Sequence, residues 1–112
     1  MALINSRTGV ALAANCIVAA DFWRRLKGLL GTKELPEGQA LIIMPCNSVH
    51  TFGMNYPIDV VFLDGKNRVL KTVSTLRPGK MSACSGSSYV VELPSGTLER
   101  TGTRIDDILE YR

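Results

Sequence analysis

The sequence has little of the material from which metal sites, disulfide scaffolds and membrane spans are built. It holds one histidine and three cysteines, Cys16, Cys46 and Cys84, which are far apart and form no CxxC pair. Zinc sites usually take closely spaced ligand pairs, so no metal site and no cofactor are expected from this spacing. Cysteines without a disulfide framework favour a reducing compartment, and we expect a cytoplasmic protein.

Long apolar runs and basic clusters are also missing. No segment approaches the roughly 20 apolar residues of a spanning helix, so no membrane partner is expected. The net charge is only +3, and no basic run interleaves with the few aromatic residues, so nucleic acid is not expected as a partner either. The 112 residues, 46% of them hydrophobic, fit one soluble domain over residues 1–112, as a monomer or weak homodimer.

The apolar run at residues 10–20 is only a faint imitation of a secretory signal peptide. Arg7 is the one basic side chain before it, and Asn15 lies at its centre. Alternate apolar residues near its start suit a strand instead. We therefore interpret the run as strand, paired with "ALIN" across a turn at "SRTG".

Further along the chain, one helix and several short strands are predicted. The segment "DFWRRLKGLLG" (residues 21–31) has helical spacing, with Asp21 as N-cap and Gly31 as stop. Strands are predicted at "ALIIM", "PIDVVFL", "RVLKTVSTL", "YVVELP" and "RIDDILEY", and a hairpin turn at "DGKN". The segment "RPGKMSACSGSS" is typical of a flexible loop, and "SGTLERTG" predicts a helical turn capped by Ser95.

These elements define the expected fold class, which is α+β or mostly β. The predicted architecture is a small, twisted, partly closed antiparallel sheet that resembles a barrel. One helix belongs to its N-terminal half, and a short helical turn lies near the C-terminus.

Two carboxylates fall inside apolar strands, Asp59 in "PIDVVFL" and Glu92 in "YVVELP". A buried carboxylate needs a partner or access to water. In a structural interpretation, Asp59 accepts amides from the loop before it, and Glu92 pairs with Arg25 or another cation. In a functional interpretation, both carboxylates and His50 converge on a cleft where their pKa values would shift.

The stretch "PCNSVHTFGM" (residues 45–54) holds Cys46 and His50. Residues four apart lie about 6 Å apart on a helix but about 13 Å apart on a strand. Pro45, Asn47 and Gly53 make a continuous helix unfavourable, so the two side chains would meet only across a turn. Otherwise Cys46 is a small packed hydrophobe, and His50 is hydrogen-bonded for structural reasons.

Four segments together resemble a known family: "RLKGLLG", "CNSVHTFGMNYPIDVVFLD", "RVL" and "VVELPSG". They are similar to domain of unknown function 192, an uncharacterised family with bacterial and archaeal members, over nearly the whole chain. The resemblance implies a compact β-rich domain with short helices, and it implies no activity. The positions that match the family pattern are Arg25, Met54, Asp59, Glu92 and Gly96. The family usually reads Gly-Asp before the last strand, where this chain has Asp106 and Asp107.

The sequence is compatible with three functions. The favoured one is a small non-catalytic binding domain with a pocket beside residues 46–59, for an unknown small molecule or a peptide strand. Its candidate ligand-binding residues are Arg25, Asn47, His50, Met54, Asp59 and Glu92. The second is a hydrolase or transferase with Cys46 as nucleophile, His50 as base and Asp59 or Asn47 as orienting group. The third is a mononuclear metal site built from Cys46, His50, Asp59 and Glu92.

Overall fold

The computed structural model describes residues 1–19 and 35–112, and over these residues the protein is mostly β, with ten strands and one short helix. The strands are β1 (Leu3–Asn5), β2 (Ala11–Ala13), β3 (Asn15–Ala19), β4 (Gln39–Ile43), β5 (Ser48–His50), β6 (Ile58–Leu63), β7 (Val69–Leu76), β8 (Met81–Ala83), β9 (Tyr89–Pro94) and β10 (Leu109–Tyr111). The helix is α1 (Thr97–Thr101). The helix predicted at residues 21–31 lies outside the described residues.

The described strands form three sheets. The largest has the order β3-β4-β9-β6-β7, a second has the order β10-β1-β2, and β5 pairs with β8 in a two-stranded ribbon. No sheet among these strands closes on itself, so the predicted barrel-like closure is not confirmed. The predicted antiparallel pairing holds for the other pairs of strands but is wrong for β3 and β4, which run parallel.

The central strands of the five-stranded sheet are buried on both faces, which is why their sequences are almost entirely apolar. Every residue of β6 and β9 is buried. Side chains alternate between the faces of a strand, so each strand feeds two cores. One core, packed on β1, β2, β10 and α1, contains Val61, Leu63, Val91 and Leu93. The other contains Ile58, Val60, Phe62 and Val90, together with Val49 and Met54.

The apolar run at residues 10–20 is extended, as its alternation indicates, but it forms two strands in different sheets rather than one. β2 pairs with β1 in the predicted hairpin, and β3 pairs with β4 in the large sheet. The chain changes sheets at Ala14 and Asn15, whose N–H groups both donate to the Gly38 carbonyl oxygen, at 2.8 and 3.0 Å. No helix in the described part of the chain is long and apolar enough to cross a membrane.

The remaining strand predictions are confirmed at β4, β6, β7 and β9, and β10 is shorter than its predicted segment. The strands β5 and β8 were missed, because they lie in segments typical of loops. Each is only three residues long, and each pairs with the other, Ser48 opposite Ala83 and His50 opposite Met81. Such short segments carry no readable apolar period, so their extended form depends on the pairing itself.

Candidate functional site

Asp59 is completely buried on β6, and its carboxylate accepts three backbone hydrogen bonds. Oδ1 accepts the Thr75 N–H at 2.8 Å, and Oδ2 accepts the N–H groups of Gly96 and Leu98 at 3.1 and 2.9 Å. Backbone amides donating to a carboxylate make strong, charge-assisted bonds and satisfy the buried charge. The structural interpretation of Asp59 is therefore supported, but the donors come from β7 and the start of α1. The prediction that they come from the loop before Asp59 is wrong.

The same carboxylate caps helix α1. The N-cap residue is Gly96, which has a φ of 96° and no side chain to offer, and no side-chain cap comes from within the helix segment. The first N–H groups of any helix lack intrahelical partners. The Leu98 N–H donates to Asp59, which lies on strand β6 and is distant in the sequence. The predicted cap by Ser95 is therefore wrong. Ser95 instead shares a 3.1 Å hydrogen bond with the Thr75 hydroxyl.

Asp59 also accepts a hydrogen bond from a bulge in strand β7. Ile58 pairs with Leu76 and Val60 with Val73, so β7 has one more residue than β6 across this stretch. Thr75 lies in the extra length with a φ of 56°, which is rare for a β-branched residue. Such bulges leave a backbone group without a ladder partner, and here the Thr75 N–H finds the Asp59 carboxylate instead.

Glu92 lies on the opposite face of the large sheet from Asp59. Asp59 pairs with Leu93 and Val60 with Glu92, so the carboxylates occupy neighbouring pairs whose side chains alternate. The Asp59 carboxylate reaches Leu98 in the first core, whereas Glu92 shares its face with Val90 in the second. The structure therefore does not bring the two carboxylates together in one cleft. The expected cation partner of Glu92, Arg25, lies outside the described residues.

Cys46 and His50 engage separate partners. The Cys46 thiol donates a hydrogen bond to the Ser48 carbonyl oxygen at 3.0 Å. The exposed His50 ring stacks on Phe52, with ring centroids 5.3 Å apart. A nucleophilic cysteine needs a base within hydrogen-bond reach of the thiol to take its proton. The Cys46–His50 pair required by the hydrolase or transferase hypothesis is therefore not assembled.

Asn47 and Met54, two further predicted site residues, contribute to strand pairing and to the core. The Asn47 carbonyl oxygen accepts the Cys84 N–H at 2.9 Å, which continues the β5–β8 pairing. Met54 is buried in the second core. Across residues 1–19 and 35–112, no three His, Cys, Asp or Glu side chains are grouped so that they could hold a metal ion. The metal hypothesis therefore has no support from the positions of its four residues.

A third buried carboxylate, Asp107, was missed by sequence reasoning. It makes two bonds with the Arg7 guanidinium, at 2.6 and 3.1 Å, and accepts the Asn5 side-chain amide at 2.8 Å and the Arg104 N–H at 2.9 Å. Hydrogen bonding to Arg7 is the main cause that lowers the pKa of Asp107 to about 2. Asp106, just before it, has a φ of 76°, the conformation that glycine favours. The family's Gly-Asp pattern at this turn was the signal that pointed to it.

A depression of about 210 Å³ opens beside the end of the 46–59 segment. Among the described residues, three separate parts of the chain line it, and they contribute Leu35, Glu37, Tyr56, Pro57, Pro94 and Ser95. None of the predicted ligand-binding residues that the structure describes is among them. Sequence reasoning missed these residues because none carries a motif, and only the fold brings them together.

The comparisons with known proteins place this fold in a family. Residues 3–111 match the family model of domain of unknown function 192 (DUF192), described as an uncharacterized ACR. A UPF0127 protein of Pyrococcus abyssi is 30% identical over 116 aligned positions, which cover 97% of this chain and 96% of that protein. A UPF0127 protein of Thermococcus sibiricus is 29% identical, with coverage of 97% and 73%.

Two crystal structures have a similar fold. One is a protein of unknown function from Novosphingobium aromaticivorans, with a TM-score of 0.78 and 18% identity over 98% of this chain and 82% of that one. The other, from Sinorhizobium meliloti, is described as a candidate transcription regulator, with a TM-score of 0.79 and 19% identity over 97% and 89%. At this identity, the likeness shows the fold alone.

Proposed function

This chain belongs to the DUF192 family, and we propose that it is a small non-catalytic binding domain. Its ligand site is the depression between the Tyr56–Pro57 wall and the Pro94–Ser95 wall. The observation that carries the proposal is that a concave surface with both apolar and polar groups is built on an ordered, hydrogen-bonded frame. Binding sites are typically concave and apolar, with a few polar groups that set orientation.

The frame comes from the Asp59 hydrogen bonds. Asp59 holds the Gly96 amide directly behind Ser95, and the Ser95 hydroxyl is bonded to Thr75. Pro57 and Pro94 have a fixed φ, so two of the lining residues lose little backbone freedom when a ligand binds. A site that is already ordered binds more tightly, because less conformational entropy is lost.

The size and lining of the depression limit the ligand class. Drug-sized ligands occupy about 300–1,000 Å³, so a depression of about 210 Å³ fits a small molecule or one side chain of a peptide. Tyr56, Pro57 and Leu35 offer apolar contact, while Glu37 offers a carboxylate and Ser95 a hydroxyl. A ligand with an apolar body and a cationic end, such as an alkylammonium group or a lysine side chain, complements this lining.

A comparison of three small probes tests the proposal. Butylammonium, butanol and butyrate share a chain of four carbons and differ in charge. In nitrogen-15 NMR titrations of the full chain, we expect butylammonium to shift the amide signals of Glu37, Tyr56 and Ser95 most. Butyrate should shift them least, because Glu37 repels it. Butylammonium should bind in the millimolar range, as a small ligand with few contacts does.

The variant Glu37→Gln separates charge from shape. It removes the carboxylate charge from the rim and should abolish the preference for butylammonium over butanol. A matched variant, Glu110→Gln, lies on β10 away from the depression and should leave the preference unchanged. Shifts that are absent at Glu37, Tyr56 and Ser95, or that are equal for the three probes, would contradict the proposal.

A further inference from the structure

The ribbon formed by β5 and β8, together with the residues that follow β5, presents large apolar side chains to solvent. The exposed fractions of Phe52 and Met81 are 51% and 65%. His50 joins them, because its ring stacks on Phe52 and its Cα is paired with that of Met81. Val49, between the exposed residues Ser48 and His50, is buried in the second core and anchors the ribbon. We call the exposed surface of His50, Phe52 and Met81 the ribbon face.

The two chain segments that contain the ribbon face carry no negative side chain. Residues 44–57 and 77–88 contain no Asp or Glu, although the sequence has 10 of them in total. The same segments contain Arg77 and Lys80, both exposed, in the turn that leads into β8. The ribbon face is therefore apolar, and the only fully charged side chains in its segments are positive.

Thr51 connects the turn that carries Arg77 and Lys80 to the ribbon through hydrogen bonds. It is completely buried between His50 and Phe52. Its hydroxyl donates to the Arg77 carbonyl oxygen at 2.6 Å and accepts the Lys80 N–H at 2.9 Å. Its own N–H donates to the Lys80 carbonyl oxygen at 2.8 Å. The two cations and the apolar side chains therefore belong to one ordered surface.

We propose that the ribbon face is a docking site for an acidic polypeptide segment that carries an aromatic or aliphatic anchor side chain. Protein interfaces are enriched in aromatic residues, Met and Arg at their cores, and depleted in Asp and Glu. Phe52, Met81 and Arg77 match that composition. Because the surrounding segments hold cations and no carboxylate, an acidic partner is attracted and a basic one is repelled.

A protein partner fits this surface better than a bilayer or a nucleic acid. Recognition of anionic lipid usually takes about 4–8 clustered Lys and Arg residues, and residues 77–88 supply two. Single-stranded nucleic acid is bound by a basic groove with successive aromatic platforms. Here Phe52 and His50 already stack on each other, so they form one platform rather than a series.

Synthetic peptides can test this docking site. The first peptide alternates Glu with Phe, the second replaces every Glu with Lys, and the third replaces every Phe with Ala. We expect the Glu-Phe peptide to bind the full chain in fluorescence anisotropy and to shift the amide signals of His50, Phe52 and Met81 in NMR spectra. The Lys-Phe and Glu-Ala peptides should bind at least about tenfold more weakly, a difference of about 1.4 kcal/mol.

Two variants and two matched controls locate the binding surface. The double variant Phe52→Ser with Met81→Ser should weaken the Glu-Phe peptide about tenfold or more, because it removes both anchors. Lys80→Glu should weaken it about threefold or more through charge alone. The matched controls lie away from the ribbon face. Ile105→Ser removes an apolar side chain that is 54% exposed, and Lys66→Glu makes the same charge change as Lys80→Glu in a different turn. Both controls should change the affinity less than twofold, roughly the scale of a neutral contact.

Several results would overturn the docking site. Equal binding of the Glu-Phe and Lys-Phe peptides would remove the electrostatic argument. If the Ile105→Ser and Lys66→Glu controls lose as much affinity for the Glu-Phe peptide as the ribbon-face variants do, the peptide does not bind at the ribbon face. Binding to phosphatidylserine vesicles or to an oligothymidine that is lost in the Lys80→Glu variant, without binding of the Glu-Phe peptide, would assign the surface to lipid or nucleic acid instead.

Discussion

The Asp59 carboxylate accepts the backbone N–H of Thr75 at 2.8 Å, across a bulge between β6 and β7. Its second oxygen caps the start of α1 through Gly96 and Leu98. One buried side chain therefore joins a strand irregularity to a helix terminus and orders the turn that borders the depression. This explains why a charged residue occupies a strand that is otherwise wholly apolar.

We expect Asp59→Asn to lower the free energy of unfolding by about 2–4 kcal/mol. The asparagine has a single acceptor oxygen, and its NH₂ group would face backbone N–H donors, which leaves buried groups without partners. The measurement is urea denaturation followed by circular dichroism at neutral pH. The m-value should stay close to that of the wild type if only stability changes.

The matched control for this variant is Asp64→Asn. Asp64 Oδ1 also accepts two backbone N–H groups, from Lys66 and Arg68, but it does so in a solvent-accessible turn. Water can replace those bonds, so Asp64→Asn should lower the stability much less than Asp59→Asn does. Similar losses for the two variants would contradict the argument that burial makes Asp59 important.

Thr75→Asn should stabilise the protein by about 0.5 kcal/mol or more. The φ of 56° at Thr75 is unfavourable for a β-branched side chain, whereas asparagine adopts it readily. Thr72→Asn is the control, since Thr72 lies on the same strand without a positive φ and asparagine is disfavoured there. Thermal unfolding should shift to higher temperature for the first variant and to lower temperature for the second.

The Asp107–Arg7 pair should make stability depend on pH in the acid range. The pKa of Asp107 is lowered to about 2 in the folded protein, from an ordinary value of 3.8. The unfolded chain therefore binds protons first, so the contribution is complete above about pH 4 and is lost as the pH falls toward about 2. We expect Asp107 to contribute roughly 2 kcal/mol at neutral pH.

Unfolding of the Asp107→Asn variant across this pH range is the corresponding measurement. The difference from the wild type should be largest near neutral pH and should shrink between about pH 4 and pH 2. Asp106→Asn is the matched control, and it should change the stability at neutral pH less than Asp107→Asn does, because the Asp106 side chain is 78% exposed and lies 3.9 Å from the Arg68 guanidinium. A constant difference between wild type and Asp107→Asn at every pH would exclude the ion pair as the cause.

Cys46 should not act as an activated nucleophile. Its thiol is hydrogen-bonded to the Ser48 carbonyl oxygen, and the His50 ring is stacked on Phe52 rather than hydrogen-bonded to the thiol. We expect iodoacetamide to modify Cys46 at pH 6 no faster than it modifies free cysteine, as followed by mass spectrometry of the peptide. A rate well above that of free cysteine would revive the nucleophile hypothesis, and loss of the excess in His50→Ala would identify the base.

Much of the β framework could be predicted from the sequence. The strands β4, β6 and β9 are largely apolar runs, and the segment "DGKN" predicts the hairpin turn after β6. Such patterns carry local information, because the side chains alternate or are buried on both faces within one strand. The strands β5 and β8 could not be found in this way, since neither has an apolar period and each is extended only because the other pairs with it.

The candidate site shows the same division. The sequence alone determined that Asp59 and Glu92 needed partners, because a carboxylate in an apolar strand is costly. It also determined that Cys46 and His50 would not meet on a regular helix. Only the tertiary structure decided that Asp59 serves Thr75 and α1 and that Glu92 faces the other core. The donors and the faces are set by register and by contacts between segments distant in the chain, and no local pattern records them.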